Sequence, residues 1–219
     1  MGMDFNYPLT RYVYRPVSRP VAGWLARTSV TPIQVSWLSA VFAAAGGVAF
    51  AQRAYVLGVV LVLVGQVTDC VDGDLARVTG RSSRSGAYLD SVLDRWTDAA
   101  LIIGLAFSDL ERFGGAAGFA LVGASLTSYT RARAQSLGTD CPDGIATRDA
   151  RLLVLMLAPL FHLITLGLWL VAILGAVTSL QRMWWSMRAL HAHDHSDGNG
   201  LPPRRMPEAV DGAEPEHSP

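Results

Sequence analysis

The sequence predicts an all-α integral membrane protein with about six transmembrane helices and an N-terminal interfacial helix. Charged residues make up 16% of the 219-residue chain and hydrophobic residues 51%, whereas soluble domains carry about 25% charged residues. Several runs without a charge approach or exceed the roughly 20 apolar residues that cross a bilayer, the longest being 152–181. The arginines, in turn, cluster in particular segments between these runs.

Residues 1–30 are interpreted as a juxtamembrane segment. Within it, Arg11, Arg15 and Arg19 recur every four residues, and valines lie between them. This pattern predicts a short interfacial helix over 11–26. Thr31 and Pro32 follow as the cap and the first position of the next helix.

Residues 31–190 form the predicted transmembrane domain. The six spans are predicted at 32–52, 54–77, 86–108, 113–134, 150–166 and 168–188. Between the last two, Thr165–Gly167 is the turn signal, which leaves both helices short. Residues 191–219 are polar, with Gly, Pro and mixed charges, and are expected to form a disordered cytoplasmic tail.

The charge distribution predicts the orientation. All 18 basic residues are arginine, and they balance 18 acids to a net charge of zero, which argues against nucleic-acid binding through net basicity. With six crossings, fifteen arginines fall on one side, against Arg53 and Arg112 on the other. The positive-inside rule places the fifteen in the cytoplasm, together with both termini, and the expected location is the plasma membrane.

Four aspartates form the candidate site. Asp69 and Asp72 lie three residues apart near the end of the second span, and Asp90 and Asp94 lie four apart near the start of the third. Each spacing places its pair on one helix face. The short loop at 78–85 makes the two helices antiparallel neighbours, so the four carboxylates are expected to converge.

Converging carboxylates at membrane depth repel one another and lose hydration. Divalent cations relieve both costs, and oxygen-only ligation favours Mg²⁺, with Mn²⁺ or Ca²⁺ as alternatives. Two such ions suit phosphoryl or diphosphate chemistry. The neighbouring acids Asp74, Asp98 and Asp109 fit solvated positions at helix ends.

Small residues and one arginine accompany the acids. Gly73, Ala76 and Gly86 leave room for close approach of a bulky ligand, and Arg77 can bind a phosphate as a planar fork. The whole pattern reads Asp69-x2-Asp72-Gly73-x2-Ala76-Arg77-x8-Gly86-x3-Asp90-x3-Asp94.

This pattern resembles the signature of the CDP-alcohol phosphotransferase family. The resemblance extends from about Arg11 to Arg188. It implies a membrane transferase that moves a substituted phosphate from a CDP-alcohol to an acceptor hydroxyl and releases CMP. Members are often homodimers, although this sequence does not indicate which face would pair.

The resemblance also assigns roles by position. Asp69, Asp72 and Asp90 would ligate a first cation. Asp72, Asp90 and Asp94 would ligate a second, and Asp94 would also be the general base. The positions expected to contact the CDP moiety are Gly73, Ala76, Arg77 and Gly86.

A second polar cluster concerns the acceptor. Arg133 lies at the end of the fourth span, and Arg148 and Arg151 share a face at the start of the fifth. The same cluster includes Ser128 and Arg131. Its arginines balance the four carboxylates, bind an anionic acceptor such as a sugar phosphate, or anchor the cytoplasmic interface. Their pattern is similar to members that use inositol phosphate. With CDP-diacylglycerol as donor, the role would be phospholipid biosynthesis; with CDP-inositol, the chain would be a di-inositol-phosphate phosphate synthase.

Three other classes are weighed against this interpretation. A transporter or channel with buried acids leaves the Gly-Ala-Arg insert between the acid pairs unexplained. An aromatic prenyltransferase needs more spans, and a membrane scaffold explains none of the four acids.

Overall fold

The computed structural model describes residues 14–141, 144 and 147–196, and this part of the chain is all-helical. Residues 1–13 and 197–219, and with them most of the predicted tail, lie outside the described residues. The described part contains seven helices: α1 Arg15–Leu25, α2 Pro32–Ala51, α3 Tyr55–Val78, α4 Arg84–Ser108, α5 Leu110–Ser136, α6 Arg148–Leu160 and α7 Ile164–Ser196.

Helix α1 is two-sided, as the spacing of its arginines and valines predicts. Val17, Val21 and Trp24 are exposed, whereas Ser18 and Ala22 are fully buried. The buried side packs on α3. An exposed apolar face on a short basic helix is typical of a helix that lies at a membrane surface.

Side-chain caps define where several helices start, and three of these starts lie two or three residues earlier than predicted. Thr31 and Gln34 form a capping box at the start of α2. Ser83 Oγ accepts a hydrogen bond from the Gly86 amide at 3.0 Å and starts α4 at Arg84. In the same way Asp109 caps α5 and Thr147 caps α6, which begin at Leu110 and Arg148.

The turn between the last two helices was predicted at the wrong place. It lies at 161–163, where His162 adopts a φ of 57°, and not at Thr165–Gly167. Gly167 is a packing position instead, because a Cβ there would overlap the Cβ of Ala158. At its other end α7 continues to Ser196, so the first residues assigned to a disordered tail are helical.

Three helices in the described part are long and apolar enough to cross a membrane: α2, α3 and residues Ile164–Ala192 of α7. Helix α6 has 13 residues, fewer than the roughly 20 that a span needs. The described part of the chain is therefore all-helical with three candidate membrane spans, and the count of six crossings stays a prediction.

Two glycine contacts let the helices approach closely. A Cβ on Gly47 of α2 would lie 2.5 Å from the carbonyl oxygen of Ala100 on α4, and one on Gly175 of α7 would lie 2.6 Å from the backbone of Gly123 on α5. Around these crossings an apolar core joins α2, α3, α4, α5, α6 and α7. The packing brings the polar ends of α3, α4 and α6 together.

Candidate active site

Three of the four predicted ligands form a compact cluster. One carboxylate oxygen from each of Asp69, Asp72 and Asp90 lies within 4.8 Å of the others. Asp72 is the buried member, and Ser36 of α2 donates a hydrogen bond to it. Closely spaced carboxylate oxygens are the ligands that hard divalent cations prefer, so the donor set fits such an ion.

Asp94 lies beside this cluster and pairs with an arginine. Arg148 of α6 lies 2.7 Å from Asp94 Oδ1 through Nη2, and its Nη1 donates to Asp69 Oδ2 at 3.1 Å. One guanidinium therefore bridges α3 and α4 and offsets part of the negative charge. The predicted roles of Asp94 as a metal ligand and as a base stay predictions.

A cleft of about 410 Å³ opens on one side of the aspartates. Asp72 and Asp90 form part of its wall. All four residues assigned to the CDP moiety line it: Gly73, Ala76, Arg77 and Gly86. Arg81 and Ser83, which were not predicted, also line it; their place in the loop between the two acid-bearing helices was the available signal.

Asp74 is buried, contrary to the expectation that it is solvated. Its Oδ2 accepts a hydrogen bond from Ser18 Oγ of α1 at 2.6 Å, and its Oδ1 accepts one from Arg77 Nη2 at 2.6 Å. The carboxylate therefore joins the surface helix to an arginine of the cleft.

A second cavity, of about 340 Å³, lies on the other side of the aspartates and is lined mainly by polar residues. Asp69 and Asp94 contribute to it, as do the predicted Arg148 and Arg151. Ser128 and Arg131 of the predicted polar cluster also line it, together with residues that were not predicted: Tyr14, Gln66, Arg95, Thr127 and Arg182.

Arg133 does not line this cavity. It is exposed, and its Nη1 lies 3.4 Å from Ser136 Oγ on the same helix. Arg131 lines the cavity instead of Arg133. It follows Thr127 by four residues and Ser128 by three, which puts all three on one face of α5. That periodicity is the signal by which Arg131 could have been preferred.

Asp98 is also buried rather than solvated, and it forms an ion pair with Arg151. Arg151 Nη2 donates to Asp98 Oδ2 at 2.8 Å, and the two side chains are 5% and 8% exposed. Nearby, Arg182 Nη1 donates to the carbonyl oxygen of Thr127 at 2.6 Å. Arg151 and Arg182 of the cavity wall are thus held by groups on neighbouring helices.

Tyr14 lies at the start of α1 and closes the cavity from the side of the N-terminal segment. It is 4% exposed. Burial, followed by the charge of Asp149, raises the pKa of its phenol above the ordinary value of 10.0. The hydroxyl is therefore protonated at neutral pH and can donate a hydrogen bond into the cavity.

Comparison with known proteins gives consistent matches. Residues 29–183 match the family described as CDP-alcohol phosphatidyltransferase. The chain is 33% identical over 179 residues to the archaetidylinositol phosphate synthase of Pyrococcus horikoshii, which covers 81% of this chain and 94% of that one. It is 40% identical over 181 residues to a bifunctional IPC transferase and DIPP synthase of Rubrobacter xylanophilus, covering 80% of this chain and 42% of that longer protein.

A solved structure is similar as well. The phosphatidylinositol phosphate synthase of Mycobacterium tuberculosis, crystallised with CDP-DAG bound, superposes with a TM-score of 0.72 and 28% identity, covering 78% of this chain and 94% of that one. Crystals of the same enzyme in complex with manganese and citrate give the same TM-score, covering 78% of this chain and 89% of that one.

Proposed function

The chain belongs to the CDP-alcohol phosphatidyltransferase family, and we propose that it transfers a substituted phosphate from a CDP-alcohol to a hydroxyl of a small polyol and releases CMP. The observation that carries the proposal is the position of the carboxylates between two cavities. Asp72 and Asp90 face the cleft, and Asp69 and Asp94 face the arginine-rich cavity. Substrates bound in the two would meet at the aspartates.

The cleft suits a nucleoside diphosphate donor, with CDP-diacylglycerol as the first candidate. Arg77 supplies a planar guanidinium for a phosphate. The amino-terminal end of α4, at Ser83 and Gly86, faces the cleft, and helix amino termini attract anions. The crystal structure of the similar synthase with CDP-DAG supports this choice of donor.

Divalent cations, two Mg²⁺ in our proposal, would be held by Asp69, Asp72 and Asp90, with Asp94 completing the second site. Such ions, when bound, neutralise the diphosphate and make CMP a better leaving group. The complex of the similar synthase with manganese supports the use of divalent cations. Ser36 would keep Asp72 oriented through its hydrogen bond.

The arginine-rich cavity suits an anionic acceptor, and we propose inositol phosphate. Arg131, Arg148, Arg151 and Arg182 line it, and guanidinium groups bind phosphate oxygens in a bidentate manner. Inositol hydroxyls would find partners in Gln66 and Ser128 on the same wall.

The reaction is a single displacement at phosphorus. An acceptor hydroxyl oxygen bonds to the phosphorus that carries the alcohol, and the bond from that phosphorus to the bridging diphosphate oxygen breaks. CMP leaves with the electron pair, and the hydroxyl proton passes to the Asp94 carboxylate. An acceptor phosphate that binds Arg148 would draw this guanidinium away from Asp94 and free the carboxylate for the proton.

CDP-inositol is the second candidate donor. The 40% identity to the bifunctional IPC transferase and DIPP synthase favours it. In that case the product would be a phosphodiester of two inositol units rather than a phospholipid. The same aspartates and arginines would serve both reactions.

We also propose six crossings of the plasma membrane, with the active site and both termini in the cytoplasm. The support is the separation of charges along the bundle. Arg53 Nε donates to the carbonyl oxygen of Ser108 at 2.8 Å, so Arg53 lies at the α4–α5 corner near Arg112. The aspartates and the arginines that bind them lie toward the other ends of α3 and α4.

A CMP-release assay tests the proposal. The full chain in detergent is incubated with CDP-diacylglycerol or CDP-inositol, each with inositol or inositol phosphate, with and without Mg²⁺. We expect Mg²⁺-dependent release with an inositol-phosphate acceptor, and none from Asp72→Asn. If no donor releases CMP with any acceptor, the proposed function is wrong.

A further inference from the structure

Asp74 divides its two carboxylate oxygens between two parts of the molecule. Oδ2 accepts from Ser18 Oγ on the surface helix α1, and Oδ1 accepts from Arg77 Nη2 one turn along α3, both at 2.6 Å. The Asp74 side chain is only 10% exposed. Contacts on both oxygens fix its orientation.

Arg77 depends on this contact for its order. Its side chain is 60% exposed, and an arginine in water that lacks a partner samples many rotamers. The guanidinium lies over Gly73, where an added Cβ would be 3.7 Å from Arg77 Nη2. The ion pair with Asp74 therefore holds the guanidinium at the wall of the cleft.

The other partner of Asp74 is fixed by apolar packing. Ala22 of α1 is fully buried against Val35, Val71 and Leu75 of α2 and α3. This contact sets the position of Ser18, one turn before Ala22, beside Asp74 of α3. The surface helix thus contributes to the orientation of a carboxylate beside the cleft.

We infer that Asp74 is a positioning residue for donor binding, which holds the Arg77 guanidinium ready for the donor diphosphate and couples it to α1. The inference rests on the proposed function in assigning the cleft to the CDP donor. A pre-ordered guanidinium binds phosphate more tightly because less side-chain entropy is lost on binding.

The test is equilibrium binding of CDP in the presence of Mg²⁺, together with the KM values of both substrates, on the purified full chain. Asp74→Ala should weaken CDP binding and raise the donor KM by up to about tenfold, because the guanidinium must then be ordered when the donor binds. The acceptor KM should not change, because Asp74 does not line the acceptor cavity. Asp74→Asn keeps a carbonyl oxygen for Arg77 and should have a smaller effect.

Further variants separate the contact of Asp74 with Ser18 from its contact with Arg77. Ser18→Ala removes only the contact to α1 and should raise the donor KM less than Asp74→Ala does. Asp109→Asn, a capping acid at the other end of the bundle, should leave both KM values unchanged. In an Arg77→Ala background, Asp74→Ala should add no further increase in the donor KM, since its effect passes through Arg77.

The outcomes are distinguishable. If the unaltered protein does not bind CDP, the donor assignment and the proposed function fail together. If it binds CDP and folded Asp74 variants bind equally well, the positioning role is wrong and the proposed function stands. Tighter CDP binding by these variants would show that Asp74 competes with the diphosphate for Arg77, and it would also overturn the inference. The same holds if Asp74→Ala raises the donor KM as much in the Arg77→Ala background as in the unaltered protein.

Discussion

Replacing Asp98 with alanine should destabilise the protein strongly, because it removes the carboxylate that pairs with Arg151 inside the bundle. The paired atoms are 2.8 Å apart, and the side chains are 8% and 5% exposed. Removing one partner of such a pair costs about 3–5 kcal/mol, whereas an exposed pair contributes about 0–1 kcal/mol. The remaining guanidinium would also face a cavity that holds other arginines.

Equilibrium unfolding in mixed detergent–SDS micelles, followed by far-UV circular dichroism, measures this free energy. Arg95→Ala is the control, since Arg95 is 45% exposed and lies 3.5 Å from Asp94; it should cost less than about 1 kcal/mol. Asp98→Ala combined with Arg151→Met should recover most of the loss, because no buried charge of the pair then remains. A loss below about 1 kcal/mol for Asp98→Ala, or a double variant no more stable than the single one, would refute the reasoning.

Three other predictions concern metal, acceptor and packing. Asp72→Asn should abolish CMP release and leave the protein inserted in membranes. EDTA should likewise abolish CMP release until Mg²⁺ is restored. Activity that survives either treatment would contradict the metal site. Arg148→Ala should raise the KM of an anionic acceptor at least about tenfold in steady-state kinetics, while the exposed Arg133→Ala should not; equal effects would remove the cavity from acceptor binding. Gly104→Leu should destabilise the protein by several kcal/mol and lower its melting temperature in detergent, because the Cβ of residue 104 would overlap the backbone of Gly47. An unchanged melting temperature would show that α2 and α4 can move apart at this crossing.

Sequence patterns predicted that Asp69, Asp72 and Asp90 converge, because the determinants of this cluster are local. Asp69, Asp72 and Asp90 converge because helical spacing puts each on an inward face and a short loop makes α3 and α4 antiparallel. The predicted CDP residues share one cleft for the same reason. Neither inference needs the rest of the bundle.

Features that depend on distant partners were not predictable in this way. Asp74 is buried against Ser18, which lies 56 residues away in sequence, and Asp98 against Arg151, which lies 53 residues away. Without these partners, the sequence indicates solvated acids at both positions. Gly167 suggested a turn because glycine often ends a helix, yet it serves close contact with α6. Pro159, near the actual end of α6, was the more reliable signal.

The length of α7 bears on how deep the acceptor cavity lies. Its 33 residues extend about 50 Å, and about 20 of them, counted from Ile164, match the hydrocarbon thickness of about 30 Å. If these residues cross the bilayer, Trp184 and Trp185 would lie at headgroup level, where tryptophan is enriched, with Arg188 stacked 3.8 Å from the Trp184 ring centroid. Arg182 lies within one turn of Trp184 and Trp185, so under the proposed function a water-soluble acceptor would reach the cavity without entering the hydrocarbon.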